Sequence, residues 1–387
     1  MPALRRGDAA GETIPPVDPA GEYRALAKEI DAAVRAVLKS GQFIGGSEVA
    51  AFEAEFGAFL GVEHVVGVGN GTDALEIALT ACGIGVGDRV AVPTFTFAAT
   101  VEAIVRAGAA PLLIDVVDSN LTIDVQALAA QLRAGEPIKA VIPVHLYGHP
   151  ADLEALLALC AEHEILVIED AAQAHGARCQ IGGSRRRVGG LGIAGCFSFY
   201  PTKNLGAAGD GGAIVTNDAT IAQTVRWIAN HGDAGKYEHT LANGRNSRLD
   251  AIQAAILRIK LGHLDDWNTS RRRIAATYTS RLGDMPDSNA RLPSERAGAE
   301  SVFHQYAIRV AERDRIHQKL RQHNIVAGVH YPRAIHQQPG FQKFVRDGAE
   351  YPIAEQAARE VLCLPIYPLM KDAAVDRVVE ALIATES

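Results

Sequence analysis

Residues 164–176 and 195–216 read EILVIEDAAQAHG and GCFSFYPTKNLGAAGDGGAIVT. Each begins as a short apolar run without alternation, the pattern of a strand covered on both faces. The first run ends in two acids, Glu169 and Asp170. The second ends in Ser198, followed by Lys203 in a loop bounded by Pro201 and a glycine-rich return. Outward from these two, similar runs recur as HVVGVG (64–69), RVAVP (89–93), PLLIDV (111–116) and KAVIPVHL (139–146). Between them lie amphipathic stretches, TDALEIALTACG, AATVEAIVRAG, VQALAAQLRAG and ADLEALLALCAEH. Buried strands alternating with helices predict an α/β fold with a mostly parallel sheet of seven strands, helices on both faces.

The helix-rich stretch 250–282 leads out of this unit. A strand candidate, SVFHQYAIRV (301–310), helix RDRIHQKLRQHN (313–324), another short strand and a final helix (372–384) predict a smaller α+β unit. The expected organisation is a loose tail over 1–14, a large unit over 15–266 and a small one over 267–387, with the boundary near Trp267.

Ligands of parallel sheets gather at the carboxyl ends of strands, and three motifs fall there. In GVGNGTDALEIAL (67–79), Gly71-Thr72 opens a helix whose free N–H groups and Thr hydroxyl suit a phosphate. Taken alone, the plainer reading is an N-cap by Thr72. Asp170, ending a buried strand, is costly unless it meets a cation or donors. It suits a protonated ring nitrogen, an ion pair worth ~4 kcal/mol at an effective dielectric near 20; Gln173 follows one turn later. A metal carboxylate or a capping pair reads the two acids equally well. Lys203, leaving a buried strand, is placed to be desolvated and to act as a Schiff-base nucleophile, although most lysines are solvated. Three such features at three strand ends weaken the three plain readings together.

The set NGTDAL, VPTFTFAAT, EDAAQAHG, SFYPTKNLGAAGDGGAI and GRNSRLDAIQAAIL resembles the DegT/StrS family of sugar aminotransferases, in order and spacing from about Gly41 to Leu369. The resemblance implies fold-type I, the aspartate aminotransferase fold, and pyridoxal 5′-phosphate (PLP). It makes Lys203 the Schiff-base lysine, covalent tether and acid/base in one. Asp170 becomes the partner of the pyridine nitrogen, and Gln173 a neighbour of the ring hydroxyl. Gly71, Thr72 and Ser198 become the phosphate site, and Phe97 the stacking aromatic; the plain reading of Phe97 is a core residue. Asn246, in GRNSRLD, matches a residue reaching the cofactor phosphate of a neighbouring subunit, which implies a homodimer with shared sites. Arg248 is expected to face an anionic substrate group, or otherwise to pair with Asp250. His330 and Tyr331, in VHYP, match a substrate-side loop, or merely shape the small unit.

The implied reaction is a two-step transamination from an amino acid, L-glutamate, to a nucleotide-linked keto-deoxysugar. The NLGAAGDGG variant is more similar to members acting at C3 than at C4. A dehydratase on the same fold carries histidine where Lys203 stands here. An aminotransferase for a cyclitol or other non-nucleotide sugar, and a regulatory member without turnover, are the alternatives. The segment CQIGGSRRRVGGLG (179–192) is longer and more basic than this family's usual loop; Arg185, Arg186 and Arg187 are expected either to assist a diphosphate or to form a solvated face.

Composition agrees with an enzyme. The 387 residues are 48% hydrophobic and 21% charged, with a formal net charge of -7, which argues against a nucleic-acid binder. Five scattered cysteines show no metal-ligand spacing, so no metal is expected and a reducing cytoplasm is the simplest setting. The N-terminal MPALRRGDAAGETIPP has no apolar signal region, and no run approaches membrane-spanning length.

Overall fold

The computed structural model describes residues 12–235, 237–283 and 290–386. Two helices open it, α1 (Pro19–Ser40) and α2 (Gly46–Leu60). Strands and helices then alternate: β1 (His64–Val68), α3 (Gly71–Ala81), β2 (Arg89–Pro93), α4 (Ala98–Arg106) and β3 (Ala110–Ile114). The alternation continues with α5 (Val125–Arg133), β4 (Ala140–Val141), α6 (Leu153–Glu162) and β5 (Leu166–Asp170). A hairpin of β6 (Arg178–Ile181) and β7 (Ser184–Arg187) precedes β8 (Ala194–Ser198) and β9 (Gly212–Thr216). Next come α7 (Ala219–Ala229), the ribbon β10 (Asp233–Gly235) and β11 (Glu238–His239), α8 (Ala251–Leu261) and α9 (Leu264–Gly283). The C-terminal part holds β12 (Tyr306–Arg309), α10 (Arg313–Gln322), α11 (Pro352–Glu360), β13 (Val361–Leu364) and α12 (Asp372–Glu386).

The seven-stranded sheet has the order β1-β9-β8-β5-β4-β2-β3. Only β9 runs antiparallel, to both its neighbours β1 and β8; the remaining pairs are parallel. The expected α/β architecture is therefore present. Side-chain alternation feeds a core on each face. Val66, Val68, Cys196 and Ile214 pack with α3, α4 and α7. Val65, Phe197 and Val215 pack with α2 and α8, and Leu112, Val141 and Val167 with α5 and α6. Phe56 meets Phe197 edge-on at 5.0 Å, and each fully buried Phe contributes ~1.5–3 kcal/mol. Aspartates start several helices: Asp18, Asp124, Asp152 and Asp218 accept first-turn N–H bonds of α1, α5, α6 and α7.

Two predicted strands are shorter than their apolar runs. KAVIPVHL keeps only β4 in regular pairing, because Pro143 has no N–H to give the ladder. Its continuation still meets β5 through an isolated Val144–Asp170 bridge. In SVFHQYAIRV only β12 pairs, with β13. Ser301–Gln305 instead crosses to the large unit: Val302 and Gln305 donate to the carbonyls of Gly148 and Tyr147 at 3.2 and 3.3 Å.

Helix α9 belongs to both units. Trp267 packs with Leu26, Ile30 and Ile256, while Ile274, Tyr278 and Leu282 enter the second core with β12, β13, α10 and α12. Most of the expected tail, residues 1–11, lies outside the described residues. Ile14 is buried in the second core and bridges Ile325, and Pro16 accepts from Ile366. Residues 14–16 thus pack on the C-terminal core. Among the described residues no helix is long and apolar enough to cross a membrane, and no group of ligating side chains could hold a metal ion.

Candidate active site

The carboxyl ends of β1, β2, β5 and β8 converge on a cleft of about 430 Å³. Gly71, Thr72, Phe97, Asp170, Gln173, Ser198, Lys203, His330 and Tyr331 all line it. The chain thus brings together nine of the eleven residues that the family resemblance assigned to the site.

At the end of β1, α3 begins beside Ser198. A Cβ at Gly71 would come 2.6 Å from Ser198 Cβ, so the close approach requires glycine. The cap is Asn70, whose side chain accepts from Asp73 N–H at 2.8 Å. This corrects the plain reading of Thr72 as N-cap: Asn70, one residue earlier than Gly71, holds the non-helical position. The Thr72 hydroxyl is left open to the cleft beside the first N–H groups and positive end of the helix.

At the end of β5 the two acids separate by the period of the strand. Glu169 is fully buried and accepts from Gly189, Leu191 and Gly192 N–H at 2.6, 2.6 and 2.8 Å. His145 completes it: its Nδ1 accepts from Ala151 N–H at 3.1 Å, so Nε2 carries the proton and donates to Glu169 at 3.0 Å. Burial raises the Glu169 pKa, but His145 and these backbone donors outweigh it and hold it low. Glu169 therefore ties down the glycine-rich loop that leads into β8.

Asp170 faces the cleft with fewer donors, the Thr100 hydroxyl at 2.9 Å and Ala172 N–H at 3.1 Å. Burial raises its pKa above the ordinary value despite these bonds and the attraction of Lys203. It is a carboxylate short of a cation. Gln173 is clamped, accepting from Tyr147 N–H at 2.6 Å and donating to the Tyr331 hydroxyl at 3.3 Å. The Tyr331 ring lies 5.7 Å from Phe97 at 31°, and Phe97 is exposed at the cleft rather than in the core.

Past β8, the Lys203 amine has no hydrogen-bond or ion-pair partner among the described residues. Desolvation lowers its pKa to about 8, with Asp170 pulling the other way. A neutral amine is therefore accessible near neutrality, as a nucleophile or a base needs. Sequence reasoning missed Thr100, Tyr147 and His304, which also line the cleft. Thr100 was visible in TFTFAAT as a hydroxyl in an apolar helix start. Tyr147 and His304 arrive through irregular segments and left no periodic signal.

Asn246 and Arg248 do not line this cleft. Asn246 is exposed and bridges Asn230 through the backbone. Arg248 donates to Asn230 Oδ1 at 2.8 Å and does not form the ion pair with Asp250 that was the alternative to a substrate role. The arginines of 185–187 are also elsewhere, on the β6–β7 hairpin. Arg185 pairs with Glu300 at 2.6 Å and Arg187 with Asp265 at 2.8 Å, while Arg187 also covers the Phe59 ring. None of the three lines the cleft of its own chain.

An open, mostly parallel sheet with a smaller C-terminal unit, and a cleft pairing a buried aspartate with a desolvated lysine, defines the aspartate-aminotransferase class of α/β enzymes. The chain belongs to the DegT/DnrJ/EryC1/StrS aminotransferase family, which matches residues 24–383. It is 44% identical to a pleiotropic regulatory protein of Geobacillus stearothermophilus, over 95% of this chain and 97% of the relative. It is 42% identical to the UDP-N-acetyl-3-dehydro-α-D-glucosamine 3-aminotransferase of Acidithiobacillus ferrooxidans, over 96% and 98%. The crystal structure of S. venezuelae DesV in complex with a ketimine intermediate superposes with a TM-score of 0.92 at 40% identity, covering 97% of this chain and 99% of that one.

Proposed function

We propose that the protein uses PLP to transfer an amino group from L-glutamate to a keto group of a nucleotide-linked sugar, at C3. The observation that carries this reading is the meeting of Lys203, Asp170 and the start of α3 in one cleft. The donor set fits the cofactor: a carboxylate lacking a cation, an unpartnered amine, and two hydroxyls, those of Thr72 and Ser198, at a helix N-terminus. The glycine at 71 keeps Ser198 close enough to share an anion with the helix start. When bound, PLP supplies an electron sink for the carbon that loses a proton.

The residues then have distinct tasks. Asp170 holds a protonated ring nitrogen, and its raised pKa in this chain marks the site as one that gains from a cation. Thr100 and Ala172 orient the carboxylate. Gln173, fixed from both ends, presents a donor edge to the ring. Lys203 anchors the cofactor covalently and carries the proton off the substrate carbon. Support for a nucleotide-linked 3-keto substrate comes from the Acidithiobacillus relative, and the ketimine intermediate held by the DesV structure supports imine chemistry in a cleft of this kind.

A regulatory role is favoured by the name of the Geobacillus relative. Lys203 and its low pKa weigh against a protein that has given up turnover. The deciding experiment loads the protein with pyridoxamine phosphate and mixes it with a panel of nucleotide keto-sugars. Return of the visible PLP band with a 3-keto nucleotide sugar is expected. Return only with a free cyclitol ketone would overturn the substrate class, and no return with any ketone would overturn the enzyme.

A further inference from the structure

Three imidazoles stand around the Lys203 loop, and one of them has its proton fixed by the fold. His175 has no side-chain partner at either ring nitrogen, and His330 has a buried, unpartnered Nδ1. His304 ends a chain of amides oriented by main-chain carbonyls. Asn268 Nδ2 donates to the His175 carbonyl at 2.8 Å. A carbonyl only accepts, so the other end of Asn268 is its oxygen. That oxygen accepts from Asn204 Nδ2 at 2.9 Å, and Asn204 Nδ2 also donates to the Val302 carbonyl at 3.0 Å. Asn204 must then turn its own oxygen to His304 Nδ1, at 3.1 Å. His304 therefore carries its proton on Nδ1, and Nε2 keeps a bare lone pair. All three side chains are at least nine-tenths buried.

The free face of His304 borders the cleft that holds Lys203, with no protein partner at Nε2. Lys203, Arg271, His175 and His330 are the titratable groups whose fields reach it. Burial first, then these groups, hold its pKa well below the ordinary histidine value. The ring stays neutral even when Lys203 is charged.

We propose that His304 is a positioning residue for Lys203: Nε2 accepts one N–H of the lysine amine once that amine is free, and so aims its lone pair at the substrate carbon. The inference rests on the aminotransferase reading of Lys203. A neutral amine has two N–H groups and one lone pair, so anchoring an N–H fixes where the base points. A carboxylate in this place would hold the ammonium form and raise the lysine pKa. A neutral imidazole that resists protonation anchors the amine without taking its proton.

The first measurement uses the intact holoenzyme labelled with nitrogen-15 in histidine. The His304 signals, assigned by their loss in His304→Gln, are expected to show Nδ1 protonated and Nε2 bare from roughly pH 6 to 9, across the ordinary histidine range. The second follows bleaching of the visible band by L-glutamate. His304→Phe, which has no lone pair, is expected to keep the band but bleach about tenfold or more slowly, a smaller loss than the 10²–10⁴ typical of the base itself. His304→Gln, which offers an oxygen acceptor, is expected to recover part of that rate. A proton on Nε2, an imidazolium in this range, a Phe variant at the wild-type rate, or a Gln variant no better than Phe would each overturn the proposal. If the Phe variant fails to fold, the wild-type spectrum and the Gln variant decide. Wild-type holoenzyme that no amino acid bleaches would sink the functional reading while leaving the tautomer result in place.

Discussion

Lys203 and Asp170 lie in one cleft, and their pKa values are displaced toward each other by the same cause, loss of water. For Lys203 the sign is simple: a lowered pKa means the neutral, nucleophilic form dominates above about 8 instead of above 10.5. The rate at which cofactor-free protein captures PLP should therefore rise with pH through about 8 and level off, as read by growth of the visible band. A profile still climbing toward 10.5 would contradict the desolvated amine. Lys203→Ala should abolish the band and both half-reactions. For Asp170, the Asn variant should still bind PLP yet lose about a hundredfold or more in single-turnover rate, since breaking a buried charge pair costs roughly 3–5 kcal/mol. A near-wild-type rate would remove Asp170 from its role. Both residues were legible in sequence, because a charge ending a buried strand needs a reason. Glu169 looked equivalent there, and only the three-dimensional structure shows that its partners are His145 and the backbone donors of Gly189, Leu191 and Gly192.

The elements that build the cleft differ in how plainly the sequence announced them. The β1–α3 turn was readable from its motif, although the cap belongs to Asn70 rather than Thr72. Gly71→Ala tests the element itself: the added Cβ meets Ser198 Cβ at 2.6 Å, so the strand end and helix start must move apart. The variant is expected to fold with native far-UV signal and to bind PLP at least tenfold more weakly, since about 1.4 kcal/mol of lost contact is one decade. Unchanged affinity would show that the helix start does not hold the phosphate. The small unit was harder to read. Periodicity marks a whole apolar run as a strand, but Ser301–Gln305 spends its backbone bonds on Gly148 and Tyr147 rather than on a ladder. That crossing carries His304 to the cleft, and nothing in the spacing of SVFHQYAIRV signals it. The β6–β7 hairpin is a similar case, since a run of arginines reads the same whether it meets a ligand or, as here, Glu300 and Asp265.

Across the molecule as a whole, Asn246 and Arg248 sit away from the cleft of their own chain. Asn246 is exposed beside Asn230, while Phe43, Ile44, Phe97 and Tyr200 leave large apolar surface uncovered. We infer a two-fold dimer in which each Asn246 reaches the phosphate site of the other subunit and Arg248 faces the substrate. A mixed dimer of one Lys203→Ala subunit and one Asn246→Ala subunit separates the possibilities. If sites are shared, the cleft of the Lys203→Ala subunit receives the partner's altered position 246 and holds both lesions. The other cleft then combines an intact lysine with an intact asparagine, and the mixed dimer should show about half the wild-type activity per dimer, as expected for one intact site of two. If each chain builds its own site, every cleft carries one lesion and activity stays at the level of the two parent variants. A role of Asn246 confined to its own chain cannot produce the first result; recovery of activity on mixing two impaired parents requires that Asn246 serve the neighbour.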